Sequence, residues 1–140
     1  MKRRNVILDA SVLAASLNHK DQYYKWTVEQ LGTIVPPLLT CEAVLSEAHF
    51  ILRDIPPSLR AIMELAVKDF YKISFNAEEE KQALKALLEK YADVPMSFAD
   101  ACLVRMAELY PDSAVFTLDS DFKIYRRNGR QAIPLIFPEK

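Results

Sequence analysis

Hydrophobic positions recur along this chain in short runs separated by longer amphipathic stretches. Asn5-Val6-Ile7-Leu8 ends at Asp9 and reads as a buried strand. Helical spacing follows over Ser11 to Asn18 and over Asp21 to Leu31, the second stretch carrying Tyr23, Tyr24 and Trp26. Thr33-Ile34-Val35 reads as the second strand. Thr40 then caps a helix to about Leu52, Pro56-Pro57-Ser58 opens another to about Asp69, and Phe70 to Phe75 forms a third strand. Asn76 caps Ala77 to Tyr91, Ser97 opens a helix to Tyr110, Ala114 to Thr117 forms a fourth strand, and Ile133 to Phe137 adds a short edge strand. Short apolar strands alternating with helices predict an α/β fold, a short and mostly parallel sheet flanked by helices on both faces in a three-layer α/β/α arrangement. Sites in such sheets form where strands end at their carboxyl edge.

With 140 residues and no linker or repeat, the expectation is a single domain over 1–140. A hydrophobic share of 51% with 26% charged residues is that of an ordinary soluble globule, and no stretch approaches a membrane span. Met1-Lys2-Arg3-Arg4 is basic, but the apolar run behind it stops at Asp9, so no secretory core is expected and the chain is placed in the cytoplasm. Only two glycines, Gly32 and Gly129, exclude the dinucleotide fingerprint, the P-loop and the nucleophile elbow. His19, His49, Cys41 and Cys102 stand in no paired spacing, which excludes a zinc cage and a Cys-x-x-Cys motif. A formal charge of −1 gives no global attraction to polyanions, so any nucleic-acid contact rests on a local basic cluster or on metal ions.

What remains plentiful is carboxylate. Asp9 ends the first strand and Asp119 follows the fourth, so both fall at the carboxyl edge. Helical geometry puts Glu47 between Val44 and Ile51 on one side and Phe50 on the other, inside the apolar arc. The same geometry puts Asp100 between Leu103 and Ala107 on one flank and Val104 on the other. No Lys or Arg lies on either arc, and an unpaired inward carboxylate is costly, so a cation is implied. Hard oxygens without His or Cys suit Mg²⁺ or Mn²⁺, which would activate a water for in-line attack on a phosphate. All of these acids but Glu47 also have a plainer reading. Asp9 fits a helix cap, Ser97-x-x-Asp100 fits a capping box, and Asp119 and Asp121 fit turn formers; Glu47 has neither excuse. Glu42 falls on the polar arc with Ser46, His49 and Arg53, and the histidines read as surface residues.

These segments resemble the PIN-domain family, and within it the VapC-like toxin ribonucleases of toxin–antitoxin pairs. The strand and Asp-x-Ser opening corresponds to Val6-Ile7-Leu8-Asp9-Ala10-Ser11, the second acid to Glu47, the third to Asp100 in Ser97-Phe98-Ala99-Asp100-Ala101, and the last to Asp119 in Thr117-Leu118-Asp119-Ser120-Asp121-Phe122. The resemblance covers nearly the whole chain. It implies an endoribonuclease in which Asp9, Glu47, Asp100 and Asp119 hold Mg²⁺ or Mn²⁺ with Asp121 assisting, while Ser11 and Thr117 orient carboxylates through their hydroxyls. The basic segment after Phe122 offers Lys123, Arg126, Arg127 and Arg130 to RNA phosphates; Lys2, Arg3 and Arg4 fall at the far end of the first strand. The expected partners are RNA, an antitoxin protein and a second copy of the chain. A dimer or a clasping antitoxin helix is expected from apolar helix arcs with Tyr23, Trp26, Leu31, Phe50 and Leu52, which exceed what one sheet face covers. The alternatives are a non-catalytic PIN-fold module that binds RNA or assembles proteins, and a phospho-acceptor domain. The latter is disfavoured by Leu8 before Asp9 and by a third strand that ends without an acceptor Asp.

Overall fold

β1 (Asn5–Leu8) is the middle strand of a five-stranded sheet in the computed structural model, which describes residues 4–139. On one side it pairs with β2 (Leu38–Thr40) and, through it, with β3 (Tyr71–Ile73). On the other it pairs with β4 (Ser113–Phe116) and then β7 (Leu135–Ile136). Every pairing is parallel. Ile7, Leu8, Val115 and Phe116 are essentially inaccessible, as the continuous apolar runs of a covered parallel sheet require. Among the described residues six helices flank the sheet: α1 (Ala10–Ser16), α2 (Tyr24–Leu31), α3 (Glu42–Ile51), α4 (Ser58–Val67), α5 (Lys81–Lys90) and α6 (Phe98–Leu109). Lys2 and Arg3 lie outside the described residues.

Strand order fixes where a site can form. The chain runs from β1 outward to β2 and β3, then returns to the opposite flank with β4. The crevice between the carboxyl ends of β1 and β4 is therefore the topological switch point, the usual ligand position in an open parallel sheet. The β1–β4 register, Asn5 to Ser113 through Leu8 to Phe116, brings Asp9 and the Thr117–Asp119 segment to the same edge.

Two expectations are corrected. The second strand is Leu38–Thr40 and not Thr33–Val35. The amide groups of Thr33 and Ile34 turn back to the Gln30 and Leu31 carbonyls and prolong the end of α2, and Val35 is exposed. Thr40 accordingly ends a strand instead of capping a helix. Cys41 holds the cap position of α3 without a side-chain bond, and the Thr40 hydroxyl donates to the Leu8 carbonyl at 2.9 Å, tying β2 to β1. The second correction concerns the proposed apolar surface. Leu52 is core, and Trp26 and Leu31 pack against it, Trp26 with its ring edge-on to Phe116 at 5.7 Å. Tyr23 and Phe50 remain exposed.

Beyond β4 the chain forms a 3₁₀ turn (Ser120–Lys123) and a small antiparallel hairpin, β5 (Arg126–Arg127) with β6 (Gln131–Ala132), which the sequence pattern did not indicate. Asn128 and Gly129 adopt positive φ at its tip, the backbone form a tight hairpin turn demands. No helix among the described residues is long and apolar enough to cross a membrane.

Candidate active site

Asp9 leaves β1 in extended conformation and caps α1, its Oδ1 accepting the Ala10 N–H at 2.7 Å. The capping reading and the functional one therefore describe the same residue, because the second oxygen, Oδ2, is turned elsewhere. It accepts the Ser11 hydroxyl at 3.0 Å and the Thr117 hydroxyl, which comes from the end of β4. Both hydroxyls are themselves fixed: Ser11 Oγ accepts the Leu118 N–H at 3.1 Å and Thr117 Oγ1 accepts the Asp119 N–H at 2.9 Å. Four neighbouring polar groups thus lock the β1–α1 turn to the loop after β4. Burial nevertheless dominates and, helped by the nearby Asp100 charge, pushes the Asp9 carboxyl up to about 7.

Asp100 sits in the first turn of α6, whose N-terminus Ser97 caps by accepting the Asp100 N–H at 3.0 Å. The Ser97 half of the predicted capping box is formed. The Asp100 carboxylate reaches a partner that the sequence did not suggest, Tyr125, whose fully buried phenol donates to Oδ2 at 2.8 Å. Tyr125 is wedged edge-on between the rings of Tyr91 and Phe122, and the Tyr91 hydroxyl accepts the Arg126 N–H at 2.7 Å. Glu47 projects half-buried from α3 toward the same place. Desolvation and the neighbouring carboxylates raise both Glu47 and Asp100 above their ordinary values, Asp100 despite the bond from Tyr125.

Asp9, Glu47 and Asp100 each offer an oxygen within 4.8 Å of the others. None of the three takes part in an ion pair among the described residues. Three carboxylates gathered from β1, α3 and α6 without a basic neighbour repel one another, and a hard divalent cation is the counter-charge that this oxygen set fits.

Asp119 caps the 3₁₀ turn, accepting the Asp121 N–H at 2.9 Å. It does not share the spacing of the other three acids, although its charge is close enough to raise Glu47 and Asp100. The turn expected at Asp119 is formed, and only its charge reaches Glu47 and Asp100. Asp121 lies near enough to affect Tyr125. The basic segment divides. Lys123 and Arg130 are exposed, with Lys123 Nζ 4.3 Å from the Phe137 ring centre. Arg126 folds back on the carbonyls of Lys123, Ile124 and Tyr125. Arg127 is buried, its guanidinium donating to the Ala107 carbonyl at 3.0 Å and to Gln131, so it holds the hairpin on α6 and has no free face for a phosphate. The sequence could not separate these four arginines and lysines, because their fates depend on a hairpin with no hydrophobic period.

The family model described as PIN domain matches residues 6–128. No curated protein matches the sequence. Among solved structures, the chain is similar to the crystal structure of Mycobacterium tuberculosis VapC20, a sarcin-ricin loop cleaving toxin. The TM-score is 0.75 at 20% identity, covering 86% of this chain and 94% of that one. It is also similar to VapBC2 from Rickettsia felis, solved bound to a DNA fragment from its promoter, with TM-score 0.61 at 12% identity, covering 96% of this chain and 98% of the other.

Proposed function

Starting from the fact that the chain belongs to the PIN domain family, we propose that it is a divalent-metal-dependent endoribonuclease and the toxin of a toxin–antitoxin pair. The observation that carries this reading is the convergence of Asp9, Glu47 and Asp100 within 4.8 Å with no lysine or arginine among the described residues paired to them. These three would hold Mg²⁺ or Mn²⁺, with Asp119 and Asp121 on the rim. When bound, the ion supplies charge stabilisation on the phosphate and a nucleophilic water at neutral pH.

The chain's own residues supply position. Ser11 and Thr117 fix the orientation of Asp9, and Tyr125 anchors Asp100, so these two acids are held in place by their neighbours. Lys123 and Arg130 stand exposed beyond Asp121, where they can meet RNA phosphates. Arg126 is a weaker contributor, since three carbonyls already occupy one of its nitrogens.

Incubation with single-stranded RNA and with RNA carrying a sarcin–ricin-type loop, in Mg²⁺ or Mn²⁺ and in EDTA, tests the reading. Cleavage is expected only with the ion, and Asp100→Asn is expected to reduce it to the no-enzyme background. Equal cleavage by wild type and Asp100→Asn overturns the assignment, while RNA affinity without any turnover supports the non-catalytic alternative. Light scattering of the chain alone tests the homodimer expected from the sequence, which would read as twice 16.0 kDa.

A further inference from the structure

Phe98, the first residue of α6, leaves 52% of its surface exposed two positions before Asp100. It forms a wall shared by two openings. One, of about 410 Å³, is lined by Glu42, Ala43, Ser46, Glu47, Phe98 and Ala99. The other, of about 430 Å³, runs along the Leu84 and Leu88 face of α5. The first opening also shares Glu47 with the acid cluster, so it borders that cluster.

We propose that Phe98 is a stacking platform for the nucleobase next to the scissile phosphate, an inference that rests on the ribonuclease reading above. A strand whose phosphate meets the acids passes its neighbouring nucleotide into the Glu47 side of this opening. Glu42, which lies outside the acid cluster, repels the sugar–phosphate backbone there, which leaves the uncharged base as the part that enters. Ala43 and Ala99 are small enough to leave the ring accessible, and an aromatic face is what an unstacked base takes in single-strand recognition. Because every base has a π-face, Phe98 contributes affinity and register at one nucleotide without selecting among bases.

Two measurements decide it. RNA oligonucleotides carrying one abasic site, walked along the strand, are titrated against the protein in the Asp100→Asn background and followed by fluorescence anisotropy. One abasic position is expected to weaken binding, and Phe98→Leu to weaken binding of intact RNA by a similar factor, about 10-fold within the range of roughly 5 to 150 that stacking on an aromatic ring supports. The two losses should not multiply when combined. Phe98→Tyr should retain the affinity, and in the active protein the Phe98→Leu loss should appear in KM. Thermal melting confirms that both variants fold. Unchanged RNA binding by Phe98→Leu, or losses that multiply, overturns the proposal. Failure of the unsubstituted chain to cleave RNA with metal sinks the ribonuclease reading instead, and leaves the anisotropy arms to decide the platform.

Discussion

Asp9 shows how a single carboxylate can be held too well for its own charge. Five donors meet it or its supporting hydroxyls, yet burial keeps its pKa at about 7 against 3.8 for the free side chain. The folded chain therefore retains a proton that the unfolded chain releases between those two values. That stabilisation is complete below about pH 4 and is lost as the pH rises through about 7, a direction opposite to that of a salt-bridged aspartate. Glu47 and Asp100 shift the same way and reinforce it. The melting temperature of the metal-stripped protein is expected to fall from about pH 5 to about pH 7.5, and Asp9→Asn should flatten the trend. Added Mg²⁺ or Mn²⁺ should restore stability at the upper end, since a ligand that binds only the folded state stabilises it. A melting temperature that rises over this interval contradicts the assignment. Tyr125 acts in the opposite sense, because its hydroxyl favours the charged form of Asp100. Tyr125→Phe keeps the ring between Tyr91 and Phe122 but removes that donor. The acid limb of the pH–rate profile should then move to higher pH, and more metal should be needed for half-maximal cleavage.

At the level of elements, the sequence was legible where burial and period agree. β1, β4 and α6 lie within a residue or so of their expected spans, and Asp9 and Asp100 could be placed because each is locked to one of these elements. Glu47 is placed by helical geometry and by the family resemblance, with no cap or turn to lock it. Its arc is only half covered, since Val44 and Ala48 are buried while Phe50 and Ile51 are exposed. β2 was misplaced because three residues carry no period, and the apolar Ile34-Val35 before the Pro36-Pro37 pair mimics a strand. Tyr125 and the hairpin escaped for a related reason: their contacts join positions far apart in sequence, Tyr125 to Asp100 and Arg127 to the end of α6. Arg127 offers a clean test of the distinction between scaffold and phosphate contact. Arg127→Ala removes charged hydrogen bonds worth about 1.5–3 kcal/mol each in general, and leaves the Ala107 carbonyl unpaired. It should lower the melting temperature by several degrees without changing the salt dependence of RNA binding. Lys123→Ala with Arg130→Ala should do the reverse, weakening RNA binding and flattening its dependence on salt while stability is untouched.

Over the whole molecule, one topological choice gathers acids from the two ends of the sequence. The reversal of strand order at β1 and β4 opens a crevice, and α3 and α6 deliver Glu47 and Asp100 over it. Away from that crevice the chain shows a second apolar surface with no role in the fold. Leu59, Met63 and Val67 recur every four residues along α4 and are 48%, 43% and 77% exposed, while Ile62 on the other face is fully buried. Phe50 and Ile51 at the end of α3 and Ile55 after it are exposed as well. A helix with apolar residues on both sides is suited to being covered on both, and under the toxin reading proposed above the cover would be an antitoxin. An apolar antitoxin helix laid along α4, with anchors at helical spacing, matches this stripe. Met63→Glu should therefore abolish co-purification with an antitoxin while leaving RNA cleavage by the free chain intact, because α4 contributes nothing to the acid cluster. Retention of the complex by Met63→Glu and by Leu59→Asp would move the partner to another face, and loss of cleavage alongside loss of the complex would mean that α4 supports the site after all.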